Sequence, residues 1–355
     1  MNVANDVSAS AMASSRWRVS EVAFWVVVLA CPLLFPSRYL IMTDILRLAL
    51  FTLSLDLILG YAGIVSLGHA AFFGVGAYSA GLLALHGIIN EPVIALVVAG
   101  LAAMVLGFFT SFLVIRGVDL TRLMVTLGIA LLMEALGERF SNITGGTDGL
   151  QGIEIQPILG LFAFDMFGKT GFFYSLTVLF LLFLLARRIV NSPFGLSLRA
   201  IRNNPLRASA IGVPVNRRLI EIYTVAAFYA GIAGALFTQT TALASLDVFS
   251  FERSADLLLV LIIGGAGYLY GGLIGAVIFK LVQDRLATID PQYWQYWIGL
   301  LLVMMVLFGR VYGAIISLAI FGSAYAFGLS FFQCTIIMLL VGLGYQYVRR
   351  GIKVI

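Results

Sequence analysis

The chain has 355 residues, 61% of them hydrophobic and only 11% charged, with a formal net charge of +5. Soluble domains carry about 25% charged residues, so this composition excludes an ordinary soluble protein. Apolar runs of roughly 17–25 residues recur and fit helices that cross a bilayer, whereas the alternating pattern of a transmembrane barrel is missing.

Residues 1–19 are rich in Ser and Ala and are predicted to form a disordered cytoplasmic N-terminus. Apolar spans are expected at 21–36, 40–60, 63–85, 92–115, 121–137, 171–188, 218–241, 253–283 with a glycine break, and 293–312. Backbone inside lipid must satisfy its own hydrogen bonds, so these spans should be helices. Arg16 and Arg18 ahead of the first run fit an uncleaved signal-anchor. Cys31 and Cys334 lie in apolar segments near opposite ends of the chain and suggest neither a disulfide framework nor a metal site.

Basic residues stay on the cytoplasmic side, which orients the spans. An inside N-terminus places Arg116 and Arg122 inside and the loop 138–170 outside, with Glu138, Asp148, Glu154 and Asp165 against Arg139 and Lys169. It returns the loop 187–218 to the cytoplasm. The terminal Arg349, Arg350 and Lys353 are expected there too. The segment 313–355 is an atypical apolar extension. At about 1.5 Å per residue, its 314–346 run is too long for one ordinary span of a ~30 Å core, so a hairpin turning near Gly328 is expected.

Two glycine-dense stretches interrupt the spans. One runs from Gly60 to Tyr78 and includes Gly63, Ser66, Gly68 and His69; the other includes Gly264, Gly265, Gly267, Gly271, Gly272 and Gly275. Small residues at four-residue spacing allow helices to pack closely. Alternatively, the stretches are broken or re-entrant helices whose backbone lines a path.

No catalytic or metal constellation emerges. The phosphate loop G-x-x-x-x-G-K-[ST] is missing, and His69 and His86 lie too far apart in sequence to form a local ligand pair. Asp44 and Arg47 are three residues apart and could pair on one helix face. Asp56 lies toward the inner end of its span with no evident partner.

The loop 187–218 holds seven arginines and no acid. Between Asp165 and Glu221, Lys169 and these arginines supply eight positive charges, leaving fourteen basic against seventeen acidic residues elsewhere. Ser192 followed by Pro193 is a helix-start signal. Phe194, Leu198 and Ile201 then form an apolar face from which Arg199 and Arg202 point away. Asn203 and Asn204 end this helix, Asn204-Pro205 opens a second, and Gly212 closes it. Two short helices at a bend are expected under the membrane, either as a shaped docking element or as an interfacial helix on anionic lipid.

At these residues the chain resembles the inner-membrane permease subunits of bacterial ABC importers for branched-chain amino acids, specifically the longer of the two paired subunits (the LivH/LivM family). The resemblance rests on Gly60–Tyr78, Thr144-Gly-Gly-Thr-Asp-Gly149, Ser192-Pro-Phe-Gly195, Arg199-Ala-Ile-Arg-Asn203, Ile211-Gly-Val213 and Leu261–Gly267, in order over roughly 40–312. It implies an all-α polytopic transmembrane domain over 20–312, with a cytoplasmic coupling helix at 192–212. That segment would dock in a cleft of an ATP-binding subunit. Relatives often carry a Glu-Ala-Ala…Gly pattern there. Ala208, Ala210 and Gly212 match it, but Pro205 replaces the glutamate, which moves the expected contacts to Arg199, Arg202 and Arg207.

The outer turn of Thr144, Gly145, Gly146, Asp148 and Gly149 would face a periplasmic binding protein. The implied assembly has a second permease subunit (LivH-like), two ATP-binding subunits that hold ATP and Mg, and one binding protein. This chain would be a non-enzymatic subunit with no cofactor of its own. Urea, short amides or aromatic acids are alternative substrates for this class, and a self-contained secondary transporter is the competing class.

Overall fold

The structure is a computed structural model describing residues 19–34, 38–89, 91–118 and 120–308. The described residues are mostly helical, with only two isolated bridges, Leu150 with Ala244 and Ile158 with Phe162, outside helices and loops. The helices are α1 (Val19–Leu34), α2 (Tyr39–Leu55, continued by a π turn Asp56–Gly60), α3 (Ala70–Leu85), α4 (Pro92–Arg116), α5 (Leu120–Arg139), α6 (Ser141–Thr144) and α7 (Lys169–Val190). They continue with α8 (Pro193–Asn203), α9 (Pro205–Ala210), α10 (Val215–Thr241), α11 (Phe251–Gly264), α12 (Leu269–Ile289) and α13 (Trp294–Phe308). Among the described residues, α4, α5, α7 and α10 are each long and apolar enough to cross a membrane, and α11 with α12 makes a fifth crossing if the bent pair is one span.

The described residues divide into two compact units, which part between Val277 and Ile278. In the larger unit α10 is the hub, because its middle is a run of small residues. Ala226, Ala227, Ala230, Ala233 and Ala235 are fully buried, and such residues let neighbouring backbones approach closely. Buried polar groups on α10 find partners on three other helices. Tyr229 Oη donates to the Leu182 carbonyl at 2.9 Å, Gln239 Nε2 to that of Pro92 at 2.7 Å, and Thr238 Oγ1 to that of Ala77 at 3.0 Å. In hydrocarbon an unmade bond of this kind is costly, so these pairings fix the register of α3, α4 and α7 on α10.

The same pairings set direction. The far end of α10 meets the start of α4, the start of α7 (Tyr174 Oη to Gln239 Oε1, 3.0 Å) and Arg47 on α2 (Nη1 to Thr240 Oγ1, 2.5 Å). Glu21 at the start of α1 pairs with Arg187 at the end of α7 at 2.9 Å. The start of α1, the Arg116–Arg122 connection and the loop 187–218 therefore share one end of the bundle, the arginine end. The sequence assigns these same three segments to one side of the membrane.

One predicted span starts late, and the glycine break expected in another is present. The span 63–85 becomes helical only at Ala70. Residues 63–67 are unwound, because Leu67 N–H is taken by Thr126 Oγ1 at 3.1 Å and Ala70 N–H by Ser254 Oγ at 3.0 Å, side-chain acceptors outside their own helix. The span 253–283 is two helices, with the chain turning through 112° at Gly265–Tyr268. Gly265 and Gly267 take φ of +101° and +87° at this break, a region that favours glycine. Beyond it, Gly267 sits at Gly60 and Gly272 at Thr52, while Leu273 and Val277 share an apolar cavity of about 250 Å³ with Met42, Leu46 and Ala49. The start of α12 thus runs back along α2, as a re-entrant segment would.

In the smaller unit, Asp290 accepts from Tyr293 N–H at 3.3 Å and Trp297 Nε1 at 3.1 Å, which ties down the start of α13. The predicted extension 313–355, its hairpin at Gly328 and Cys334 lie outside the described residues, as does the predicted N-terminal tail up to Arg18.

Candidate functional site: the arginine loop and the glycine junction

Each step of the arginine loop follows from a local rule. Ser192 is extended and its Oγ accepts from Gly195 N–H at 3.4 Å, with Pro193 at the first helical position. Asn204 repeats the arrangement, Oδ1 accepting from Arg207 N–H at 2.9 Å ahead of α9, with Pro205 in the first position. Gly212 closes the pair at φ +87°. Leu198 and Ile201 are buried, as is Ala208 on α9. Burying each aliphatic side chain contributes about 1.5–3 kcal/mol. Phe194 lies 5.2 Å below the Arg218 guanidinium. Ser192→Ala should fray the first turn of α8, costing about 1 kcal/mol, visible as faster amide exchange at Gly195 and Leu196 with α7 unchanged.

Among the residues exposed on the loop are Arg207, Asn203 and the large apolar side chains of Leu196, Leu206 (84% exposed) and Ile211 (71%). The sequence reading missed these apolar knobs. Their one signal is position, since Leu206 and Ile211 stand among Pro, Asn, Arg, Ser and Gly rather than in an apolar run.

Arg199 and Arg202 behave differently. Both are exposed residues, yet both guanidinium groups reach back onto the bundle. Arg199 stacks over the Tyr61 ring at 5.3 Å. Arg202 Nη1 donates to the Gly60 carbonyl, 142 residues away in sequence. Its stem covers Gly63, where a Cβ would lie 3.2 Å from Arg202 Cγ, and its tip covers Gly267, where a Cβ would lie 2.9 Å from Nη1.

The two glycine stretches therefore meet under Arg202. Asp56 is fully buried at this junction and Oδ1 accepts from Gly267 N–H at 2.7 Å. The helix ends after Ala62, Gly63 and Gly267 take positive φ, and the chain is non-helical at 63–67 and again at 265–268, so non-helical backbone lies on both sides. Such backbone is tolerated at membrane depth where protein covers it or a cavity takes it up. A polar cavity of about 610 Å³ opens beside the junction, lined among others by Glu21, Tyr61, Arg187, Arg199, Arg202 and Gly267.

The other glycine-stretch residues face inward. Ser66 is buried, Gly68 backs onto the Thr126 carbonyl, and Gly264 packs on Gly271, with Gly265 next to it. His69 is buried, with Nε2 2.8 Å from Ser54 Oγ and its ring stacked on Phe51. These are close-packing positions, whereas Gly63 and Gly267 are at the junction itself.

At the opposite end, Thr144 Oγ1 donates to the Gly137 carbonyl at 2.6 Å. The turn through Gly145, Gly146 and Gly149 leads into Leu150, whose N–H pairs with Ala244 at 2.7 Å. Gly146 and Gly149 are buried, while Thr147 and Asp148 are exposed. The turn ties the end of α5 to the segment after α10.

Fold and site together define a polytopic helical membrane protein with a structured basic loop at one end. The family model "Branched-chain amino acid transport system / permease component" matches residues 38–308, and the chain belongs to that family. It is 25% identical over 276 residues to the high-affinity branched-chain amino acid transport system permease protein LivM of Escherichia coli, covering 72% of this chain and 64% of that protein. The protein of the same name from Salmonella typhimurium is 26% identical over 277 residues, with the same coverage. The galactose/methyl galactoside import permease protein MglC of Haemophilus influenzae is 28% identical over 226 residues, covering 59% and 64%. The chain thus spans about 64% of the length of these relatives. No solved structure matches it.

Proposed function

We propose that this chain is the membrane-spanning subunit of an ATP-driven importer and that, with a second permease subunit, it forms the path for branched-chain amino acids. The observation that carries this is the doubly capped pair α8–α9, held under the bundle by Leu198 and Ile201 while Leu206 and Ile211 project away. Exposed apolar side chains on a rigid, basic frame suit a protein groove, since interfaces rest on a few buried anchors within a polar rim. The arginine end is cytoplasmic by the positive-inside rule. There the pair docks one of two ATP-binding subunits, which hold ATP and Mg²⁺. Arg207 lies on the docking face, and the turn at Thr144–Gly149 faces a periplasmic binding protein.

The substrate class is supported by the LivM relatives. A sugar is the second reading, favoured by the likeness to MglC. Uptake of labelled leucine that unlabelled galactose, urea and aromatic acids fail to suppress is the result expected.

The docking test is Leu206→Glu with Ile211→Glu. Losing about 2 kcal/mol at an anchor weakens binding roughly 30-fold, so the ATP-binding subunits should no longer co-purify while the permease stays in the membrane. Undiminished co-purification would overturn the assignment.

A further inference from the structure

Asp56 is a buried carboxylate with one oxygen accounted for. Oδ1 takes the Gly267 N–H, whereas Oδ2 is buried and accepts no hydrogen bond among the described residues. A buried polar atom left in this state calls for a specific explanation. Arg202 brings a donor group to this junction: its charge acts on the carboxylate, and its Nη1 donates to the Gly60 carbonyl and lies against Gly267. Guanidinium is a fork of five N–H donors suited to carboxylate oxygens.

We propose that Arg202 is a two-position pin, held on the Gly60 carbonyl in the state seen here and shifting to Asp56 Oδ2 in a second state of the junction. This rests on the reading that α8–α9 docks a moving partner. Three features make the shift cheap and directional. The backbone on both sides of the pin is non-helical, at 63–67 and 265–268, so it can rearrange without breaking a helix. The Arg202 stem lies on Gly63, so movement of α8 presses directly on the unwound segment 63–67. Both acceptors stand at one junction, so the guanidinium exchanges one for the other without returning to bulk water. A bistable contact of this kind turns a small displacement into a discrete change of state, and the partner needs only to favour one position over the other.

Arg202 is thus a positioning residue, and its static and switching roles separate experimentally. In the full chain in nanodiscs, Arg202→Gln should speed amide exchange in both 60–68 and 264–268, while Arg207→Gln leaves both unchanged. Unchanged exchange in Arg202→Gln would overturn the pin. Asp56→Asn keeps an oxygen for Gly267 but removes the anionic second acceptor. It should leave exchange at 264–268 as in the unmodified chain. In proteoliposomes of the complete transporter it should raise ATP hydrolysed per molecule imported by roughly tenfold, the size of an ordinary coupling free energy.

Arg202→Lys should recover part of the coupling lost in Arg202→Gln. An Asp56→Asn transporter with unaltered stoichiometry would overturn the second position. If the unmodified chain recruits no ATP-binding subunit, the docking reading fails on its own, and the exchange measurements still judge the pin.

Discussion

Gly195→Ala is expected to abolish transport while the chain still inserts, because the added methyl has nowhere to go. A Cβ at Gly195 would overlap the Val190 carbonyl, with the Val190 carbonyl carbon at 2.5 Å and Cα at 2.7 Å. All three are backbone atoms of the last turn of α7, so no side chain can swing aside. The helix α8 must lift from α7, which strains the Ser192 cap and exposes Leu198 and Ile201. Overpacking alone costs about 1–3 kcal/mol, and partial exposure of the two aliphatic residues adds to it, at about 1.5–3 kcal/mol for each if fully exposed. The control is Gly128→Ala on α5, where nothing lies within 4 Å and alanine is the better helix former by about 1 kcal/mol. Thermal unfolding in detergent should show Gly195→Ala destabilised and Gly128→Ala unchanged or slightly stabilised. The reverse order would remove the close α7–α8 contact from the account.

The second large effect is expected at Asp44. Arg47 is buried and pairs with Asp44 one turn earlier, while Nη1 donates to Thr240 Oγ1 and the Phe237 carbonyl and the guanidinium covers the Phe237 ring at 5.0 Å. Removing the carboxylate leaves this buried cation uncompensated, and breaking such pairs costs about 3–5 kcal/mol. Asp44 is itself 37% exposed, which places the expectation for Asp44→Leu near the low end, roughly 3 kcal/mol. Asp44→Leu with Arg47→Met removes both charges and should recover most of the loss, since a hydrophobic replacement of a buried pair is often neutral. Measured unfolding that leaves the double variant as unstable as the single would show that Arg47 is needed for Thr240 rather than balanced by Asp44.

What the sequence made legible is whatever rests on short-range rules. Ser192-Pro193 and Asn204-Pro205 each place a cap and a proline in adjacent positions, and both helices start there. Phe194, Leu198 and Ile201 repeat at helical spacing, and the last two are buried. The positions of Arg116, Arg122 and Arg187 sorted the span ends, and these lie at one end of the bundle. The Asp44–Arg47 pair was visible for the same reason, being three residues apart.

What stayed illegible depends on distant partners or on the apolar background. Asp56 had no evident partner because Gly267 is 211 residues away. Arg202 was read as pointing outward because nothing near it in sequence reveals the Gly60 carbonyl. The unwinding of 63–67 was one of two open readings of the Gly60–Tyr78 stretch, since hydropathy is alike for helix and extended backbone and the acceptors belong to Thr126 and Ser254. Leu206 and Ile211 were not read as exposed knobs because apolar residues are common in a chain that is 61% hydrophobic, and only their place among polar and turn residues sets them apart.

The most direct measurement is photo-crosslinking from position 206 in intact cells, using a benzophenone amino acid in place of Leu206, with position 161 as the opposite-end comparison. The account predicts an adduct with an ATP-binding subunit from position 206 and none from position 161, where the exposed Leu161 lies in the loop assigned to the outer side. An adduct from 206 to lipid or to a periplasmic protein, with no ATP-binding subunit captured, would contradict it.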